Sequence, residues 1–166
     1  QKVFNFWGHI HVQHYAASRS SNSKEAPMTK NDTVVRTLKN DPDIRTVQAF
    51  ATKFAVVRSQ EGIDEVQVKG VEKDYDFGNL RSFLRSGRWP GFPDSGYSNE
   101  IVLSEYTANL LKLKIGSKLL IYFIQDSGTA RIRPMIVSGL YKTGIVDYDK
   151  LIAVCDLRLI QRLNNW

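Results

Sequence analysis

The sequence lacks the features that identify most enzymes and most membrane-spanning segments. It has one cysteine, Cys155, so it cannot form a disulfide within the chain. Its longest apolar run, Leu119–Ile124, is far shorter than the roughly 20 residues that a bilayer-spanning helix needs. It contains no phosphate-binding loop, no G-x-S-x-G nucleophile motif and no C-x-x-C pair. These absences predict a soluble, non-catalytic domain that has no cofactor.

Two further features concern the setting of the chain. The chain begins with Gln1 and shows no charged-then-apolar signal region. We therefore expect a fragment of a longer protein whose targeting information lies elsewhere. Cys155 follows the apolar run Leu151–Val154, which predicts a small buried side chain rather than a reactive thiol.

The chain is basic, with 23 Lys and Arg against 17 Asp and Glu and a net charge of +6. This charge favours anionic partners without choosing among nucleic acid, lipid headgroups and acidic proteins. Arg81, Arg85 and Arg88 recur at helical spacing beside Trp89, a pattern that fits phosphate binding with base stacking. We favour the alternative, a solvated helix face opposite apolar residues. A nucleic-acid-binding domain is kept as the rival from another class.

Three histidines, His9, His11 and His14, are the only histidines in the chain. The segment Phe6–Tyr15 alternates as a strand does, so His9 and His11 would share a face and could ligate a divalent ion. A zinc site needs further ligands, and none is evident nearby. We expect no metal site, and these histidines are the only candidates.

One pair of carboxylates, Asp147 and Asp149, could serve acid-base chemistry if both were desolvated. They stand close to Gly144, and we predict solvated turn residues. No catalytic residue is expected.

The hydrophobic pattern predicts mixed strands and helices. Strands are expected at Ile44–Arg58, Glu65–Glu72, Ile101–Leu103, Leu119–Ile124 (buried on both faces), Ala130–Tyr141 and Leu151–Val154. Four helices are expected. The first is capped by Asn31 or Asp32 and runs to about Lys39, with Val34, Val35 and Leu38 inward, and the second spans Gly78–Ser86. The third follows an N-cap at Ser104, with Tyr106, Leu110 and Leu113 at helical spacing, and the fourth follows an N-cap at Asp156, with Leu157, Ile160 and Leu163 on one side.

Four runs of residues carry a resemblance to a known family. They are Gly70–Tyr75, Ser86–Trp89, Glu100–Ser117 and Val137–Tyr141. In this order and spacing the chain resembles the periplasmic core domain of MacB/LolE/FtsX-type ABC transporter permeases. Ser117 stands where the family usually has aspartate.

The resemblance implies a two-lobed α+β periplasmic domain. A Porter-like β-α-β lobe would use residues 1–58 and 151–166, and it would lack its last strands. A mostly-β, Sabre-like lobe with short helices would be inserted as residues 59–150.

The resemblance also implies the function. The domain would be non-catalytic, would face the periplasm and would be attached to the bacterial inner membrane through helices outside this chain. Its partners would be a cytoplasmic ATP-binding subunit and a partner permease. The transporter would act on a lipoprotein, a peptide or a periplasmic protein. Within the family the chain is most similar to the lipoprotein-releasing branch. A MacB-like exporter and a division-type regulatory permease are alternatives within the family.

One connection limits how far this function carries over. Lipoprotein-releasing relatives recruit a carrier through an extended hairpin between the strands that match Leu119–Ile124 and Ala130–Tyr141. Here that connection is short and consists of Gln125, Asp126, Ser127, Gly128 and Thr129. These five residues are the candidate partner contact, and no nucleic-acid partner is expected.

Overall fold

A computed structural model describes residues 6–14, 27–125 and 128–166 of the chain. These residues fall into two compact units, Gln1–Gln48 and Ala49–Trp166. Each unit is considered by itself below.

In the described part of the first unit, the sequence predicts the helix after Asn31 correctly. Helix α1 spans Asp32–Lys39. The Asn31 side chain accepts hydrogen bonds from the backbone N–H groups of Thr33 and Val34 at 3.0 and 3.2 Å, which satisfies donors that have no partner within the helix. The predicted inward face is confirmed in part: Val35 and Leu38 are half-buried, whereas Val34 is 45% exposed and no residue of α1 is fully buried.

The predicted strand at Phe6–Tyr15 is wrong for residues 6–14, which form no strand. Ile10 and Val12, on its expected apolar face, are 79% and 59% exposed. Alternating side chains stabilise a strand when the apolar face packs against a neighbour, and that burial is missing here. Tyr15 lies outside the described residues.

The second unit is a mixed α+β fold, which confirms the predicted class. Its elements in chain order are β1 (Phe50–Arg58), β2 (Ile63–Val71), a 3-10 helix (Phe77–Phe83), β3 (Leu84–Gly87), β4 (Glu100–Ser104), α2 (Glu105–Leu110), β5 (Lys118–Ile124), β6 (Ala130–Tyr141), α3 (Val146–Leu151), β7 (Ile152–Asp156) and α4 (Leu157–Asn164).

The strands form one sheet in the order β3-β6-β4-β7-β2-β1-β5, and β5 pairs again with β6. Six strands therefore close into a ring, to which β3 adds as a short seventh strand. The pairs β2–β7 and β4–β6 are parallel and the others are antiparallel. Strands from both predicted lobes share this sheet, and the boundary between the lobes stays a prediction.

The core lies on the inner side of this ring. Apolar side chains from six strands meet there, and α4 contributes Leu159, Ile160 and Leu163, which are fully buried. Cys155 is also fully buried, as predicted. Burial, with the nearby charge of Asp156, raises the pKa of its thiol well above the usual value. Both features agree with the packing role that the sequence predicts for Cys155.

Two predicted boundaries are wrong. The strand expected from Ile44 begins at Phe50, where pairing with Val71 starts. The helix expected at Gly78–Ser86 is a 3-10 helix that ends at Phe83, because the next residues pair with β6 as β3. Strand pairing across the sheet decides both ends, and local sequence does not reveal it.

Strand β5 is buried on one face only, and not on both faces as predicted. Leu119, Ile121 and Phe123 are buried, while Leu120 and Ile124 are 38% and 48% exposed. Every residue from 119 to 124 is apolar, so periodicity carries no information about which face is covered.

Helix α2 begins as predicted but buries the other face. The Ser104 hydroxyl accepts a hydrogen bond from the Thr107 backbone N–H at 3.0 Å. Thr107 and Ala108 are buried, whereas Tyr106 and Leu110 are 45% and 53% exposed. Of the three residues expected at helical spacing, Leu113 packs against the core, and Tyr106 and Leu110 do not.

Helix α3 is missing from the sequence-based prediction, which gives a solvated turn around Asp147 and Asp149. Asp147 is exposed, but Asp149 is buried. Its carboxylate accepts hydrogen bonds from the Thr143 backbone and hydroxyl at 2.8 Å each and from the Gly144 backbone at 2.9 Å. These bonds hold a turn, so the pair does not have the arrangement that acid-base chemistry requires.

Candidate functional site

The residues that carry the family resemblance hold strands and helices together. Gly70 of β2 lies against α4 so closely that an added Cβ would be 2.8 Å from the Leu157 Cα atom and 2.9 Å from the Ile160 Cδ1 atom. A side chain there would push the helix away from the sheet. The glycine is therefore required for packing rather than for binding.

Gly87 and Gly139 form a second close contact, where β3 pairs with β6. An added Cβ on Gly87 would be 2.3 Å from the Ser138 carbonyl oxygen, and one on Gly139 would be 2.4 Å from the Arg88 carbonyl oxygen. Gly87 also has φ +72°, a conformation that other residues rarely adopt. Both glycines allow two backbone segments to touch.

Arg88 continues this junction toward β4. Its Nη1 atom donates to the Glu100 Oε2 atom at 2.7 Å, and its Nη2 atom donates to Oε1. The Gly91 backbone N–H also donates to Glu100 Oε2 at 2.7 Å. Burial acts to raise the pKa of Glu100, but these hydrogen bonds outweigh it and hold the pKa below its usual value. The ion pair thus fixes the loop that follows β3 onto β4.

Asp156 anchors the other end of the same loop. Its side chain is 1% exposed and accepts hydrogen bonds from the Ser98 backbone at 3.0 Å and the Arg158 backbone at 2.9 Å. The Arg158 guanidinium donates to Asp156 Oδ2 at 2.8 Å and to the Pro93 carbonyl at 2.9 Å. Asp156 is the N-cap of α4, as predicted, and it also joins α4 to the loop.

Tyr141, the last residue of the fourth motif run, makes a further contact between elements. It is fully buried at the end of β6, and its hydroxyl donates to the Ile152 carbonyl at 2.7 Å. Three glycines, two ion pairs and one buried hydroxyl all serve contacts between elements. The motif residues described above therefore serve contacts between strands, helices and loops.

Two buried lysines, Lys53 of β1 and Lys69 of β2, are missing from the sequence-based prediction. Lys69 of β2 is 2% exposed, and its Nζ atom donates to the Tyr75 hydroxyl at 3.1 Å. It also lies 5.0 Å from the centre of the Phe50 ring and 5.1 Å from that of Tyr75. Burial lowers the pKa of Lys69 to about 7. The alternating pattern of β2 gives no sign of this environment.

The three candidate metal ligands lie in an exposed segment. His9, His11 and His14 are exposed, and the His11 Nε2 atom lies 2.7 Å from the Trp7 carbonyl oxygen. In residues 6–14, 27–125 and 128–166, no three His, Cys, Asp or Glu side chains are grouped so that they could hold a metal ion.

The arginines that motivate a nucleic-acid partner do not share a helix face. Arg81 lies in the 3-10 helix, Arg85 lies in β3, and Arg88 follows β3. Arg88 forms an ion pair with Glu100, and Arg158 of α4 forms one with Asp156. The predicted helical stripe of arginines is wrong, because the chain changes from helix to strand at Leu84.

The candidate partner hairpin is as short as the sequence predicts. Strand β5 ends at Ile124 and β6 begins at Ala130. The Gln125 backbone donates to the Thr129 carbonyl at 2.8 Å, and the Gly128 backbone donates to the Gln125 carbonyl at 2.9 Å. Asp126 and Ser127 lie outside the described residues. The role of these five residues as a partner contact stays a prediction.

A larger exposed surface adjoins this hairpin. We call it the outer apolar face, and it consists of Phe54 of β1, Leu120 and Ile124 of β5, and Ile132, Pro134 and Ile136 of β6. The strand register places Leu120 beside Pro134 and Tyr122 beside Ile132. These side chains point away from the core, and sequence reasoning missed them because it assigns β5 to a fully buried position.

The comparisons with known proteins agree with the family resemblance of the sequence. The model of the MacB-like periplasmic core domain matches residues 5–163. The chain belongs to this family. Members are periplasmic or extracellular domains of ABC-type transporter permeases. No helix in the described part of this domain is both long enough and apolar enough to cross a membrane.

Two similar proteins give the family more detail. The MacB-like domain is 25% identical over 140 residues to the lipoprotein-releasing system transmembrane protein LolE of Haemophilus influenzae. That match covers 83% of the chain and 33% of LolE, so the chain spans about a third of the length of this relative. The solved extracellular domain of the noncanonic ABC-type transporter YknZ from Gram-positive bacteria has a TM-score of 0.55 at 19% identity, over 81% of this chain and 66% of that one. This likeness shows the fold.

Proposed function

We propose that the chain is the periplasmic domain of an ABC permease of the lipoprotein-releasing branch, on the periplasmic face of the bacterial inner membrane. Membrane helices outside this sequence attach it. A separate cytoplasmic subunit hydrolyses ATP, and a partner permease completes the transporter. The domain transmits the ATP cycle to a lipoprotein and performs no catalysis itself.

The single observation that carries this proposal is the similarity to LolE over 83% of the chain. The structure supports the mechanical part of it. A closed ring of strands joined by close glycine contacts and by the Arg88–Glu100 ion pair resists internal deformation. Such a body can move as a unit when the membrane helices move.

The lobes and the hairpin have proposed roles as well. We assign residues 1–58 with 151–166 to the Porter-like lobe and residues 59–150 to the inserted Sabre-like lobe. The connection Gln125–Thr129 is too short to reach far from β5 and β6. Recruitment of a periplasmic carrier therefore falls to the partner permease or is absent.

Depletion of the full-length permease in the source bacterium tests the proposal. Newly made lipoproteins, labelled with radioactive palmitate, are expected to remain in the inner membrane after separation of the two membranes. Depletion of the ATP-binding subunit should give the same pattern. The alternative, a MacB-like exporter, predicts normal lipoprotein sorting with intracellular retention of an exported drug or peptide. Normal sorting would contradict the proposal.

A further inference from the structure

The outer apolar face is an exposed apolar surface on the sheet. Phe54, Ile124 and Ile132 are 46%, 48% and 47% exposed, and Ile136 and Leu120 are 41% and 38% exposed. Together these side chains leave on the order of 400 Å² of apolar surface, within the range of the largest patch on a typical monomer, which is often functional. The face is thus a candidate centre of an interface, smaller than a complete stable interface.

The face, and not the neighbouring strand edge, is the accessible feature. The first half of β6 pairs with β5 on one side. The Ile136 N–H points to the other side, since it donates to the Asn99 carbonyl. Alternation along the strand places the Pro134 nitrogen and the Ile132 carbonyl on that same edge. Proline offers no donor there, and Arg133 Nη1 donates to the Ile132 carbonyl at 2.8 Å. Both features oppose the addition of a partner strand.

Within the described residues, the cations Arg58 and Lys118 lie on the face itself, and the exposed carboxylate of Glu65 in β2 lies beside it, where Glu65 pairs with Val56. Strands β1 and β5 and the half of β6 that pairs with β5 contain no Asp or Glu. Arg58 pairs across the sheet with Leu120, and Lys118 precedes Leu120 on the same side of β5. Arg58 Nη1 donates to the neutral Tyr122 hydroxyl at 3.2 Å, and neither cation forms an ion pair within the described residues.

We propose that the outer apolar face binds an acidic, amphipathic surface of a partner protein. Apolar side chains of the partner cover Ile124 and Ile132, and its carboxylates meet Arg58 and Lys118. A second copy of this chain is a poor fit, because it brings the same cations and a net charge of +6. An acyl chain is a poor fit too, because small apolar ligands bind in concave pockets rather than on a flat sheet.

Binding of synthetic peptides to the purified 166-residue chain tests this proposal. The first probe is a fluorescent helical peptide with leucines on one face and glutamates beside them. The second has the same leucines with lysines in place of the glutamates. Fluorescence anisotropy should show the glutamate peptide binding at least about tenfold more tightly, as expected for complementary charges. Equal binding of both peptides, or binding of neither, would overturn the proposal.

Matched variants locate the binding surface. Ile132→Gln should weaken the glutamate peptide about tenfold, since a polar group would enter the centre of the contact. Val146→Gln, at a 63% exposed apolar residue of α3, should leave binding unchanged. Circular dichroism and thermal melting confirm that both variants fold. Equal losses from the two variants would show that the peptide binds elsewhere.

Charge reversal and two competing probes complete the test. Arg58→Glu with Lys118→Glu should reverse the preference between the peptides, whereas Lys39→Glu with Lys114→Glu should preserve it. Binding of the chain to phosphatidylglycerol vesicles tests for a lipid partner, and analytical ultracentrifugation of the chain alone tests for self-association. Vesicle binding, or a dimer, that Ile132→Gln abolishes would overturn the proposal in favour of lipid or of self-association.

Discussion

Replacing Gly87 with alanine is expected to lower the free energy of unfolding by about 3 kcal/mol, from strain at a positive φ together with overpacking. The new Cβ would be 2.3 Å from the Ser138 carbonyl oxygen and 2.9 Å from the Gly139 Cα atom. Both neighbours are backbone, so β3 must move away from β6. Urea denaturation followed by tryptophan fluorescence measures the change.

Gly96 provides the matched control. Its φ is +73°, nearly the same as that of Gly87, but an added Cβ would have no atom within 4 Å. Gly96→Ala should therefore cost only the conformational strain, about 1 kcal/mol. Equal losses in the two variants would show that the contact between β3 and β6 is not tight.

Replacing Lys69 with methionine is expected to stabilise the domain by about 2 to 4 kcal/mol at pH 7, given the shift of the lysine pKa from 10.5 to about 7. The folded state binds fewer protons at Lys69 than the unfolded state does between these two values. The native chain should thus gain stability as the pH rises from 7 to 9 and lose it as the pH falls toward 7. Chemical denaturation at pH 7, 8 and 9 measures both effects.

The difference between variant and native chain isolates Lys69 from other groups. Burial raises the pKa values of Tyr75, to about 12, and of Cys155, so both groups oppose the gain at higher pH. Methionine at residue 69 should remove about 2 kcal/mol of the rise between pH 7 and 9. Lys118→Met, at an exposed residue of β5, should leave the rise intact. If the difference in unfolding free energy between the native chain and Lys69→Met is the same at pH 7 and pH 9, the pKa of Lys69 is not lowered by burial and the prediction is wrong.

The sequence predicts local features of this fold well. Ser104 and Asp156 cap helices as expected, since a hydroxyl or carboxylate before an apolar run has one dominant local use. Strand β6 has the predicted bounds, Ala130–Tyr141, and the turn that ends at Gly62 joins β1 to β2. Each of these features depends on neighbours within a few residues.

The features that depend on distant residues escape prediction. The burial of Lys69 depends on Phe50 and Tyr75, which reach it only after β1 and β2 pair and the chain turns back. The exposed side of β5 depends on the pairing of β5 with both β1 and β6. Because every residue of that strand after Lys118 is apolar, its sequence suits burial on either face.

The candidate functional surface was hidden for the same reason. Histidines and arginines are candidate ligands from their chemistry alone, whereas the sequence around Ile124 and Ile132 predicts buried core residues. Only the sheet shows that these isoleucines face outward. The motif residues, in turn, are recognisable as a family pattern, and the structure supplies their physical purpose at close contacts between elements.

The central claim is that this domain moves as a rigid body during the ATP cycle of a transporter. Spin labels on the reconstituted full-length permease, with its partner permease and ATP-binding subunit, test it most directly. Gln60 and Ser95 are exposed and suit substitution by cysteine, while the native Cys155 is fully buried and escapes labelling.

Pulsed electron spin resonance then measures two distances, one within the domain and one from Ser95 to the partner permease's periplasmic domain. On trapping with ATP and vanadate, we expect the distance between the domains to change by about 5 Å or more and the internal distance by less than about 2 Å, as in rigid-body rotation. An unchanged distance between the domains, or an internal change as large as it, would contradict the account.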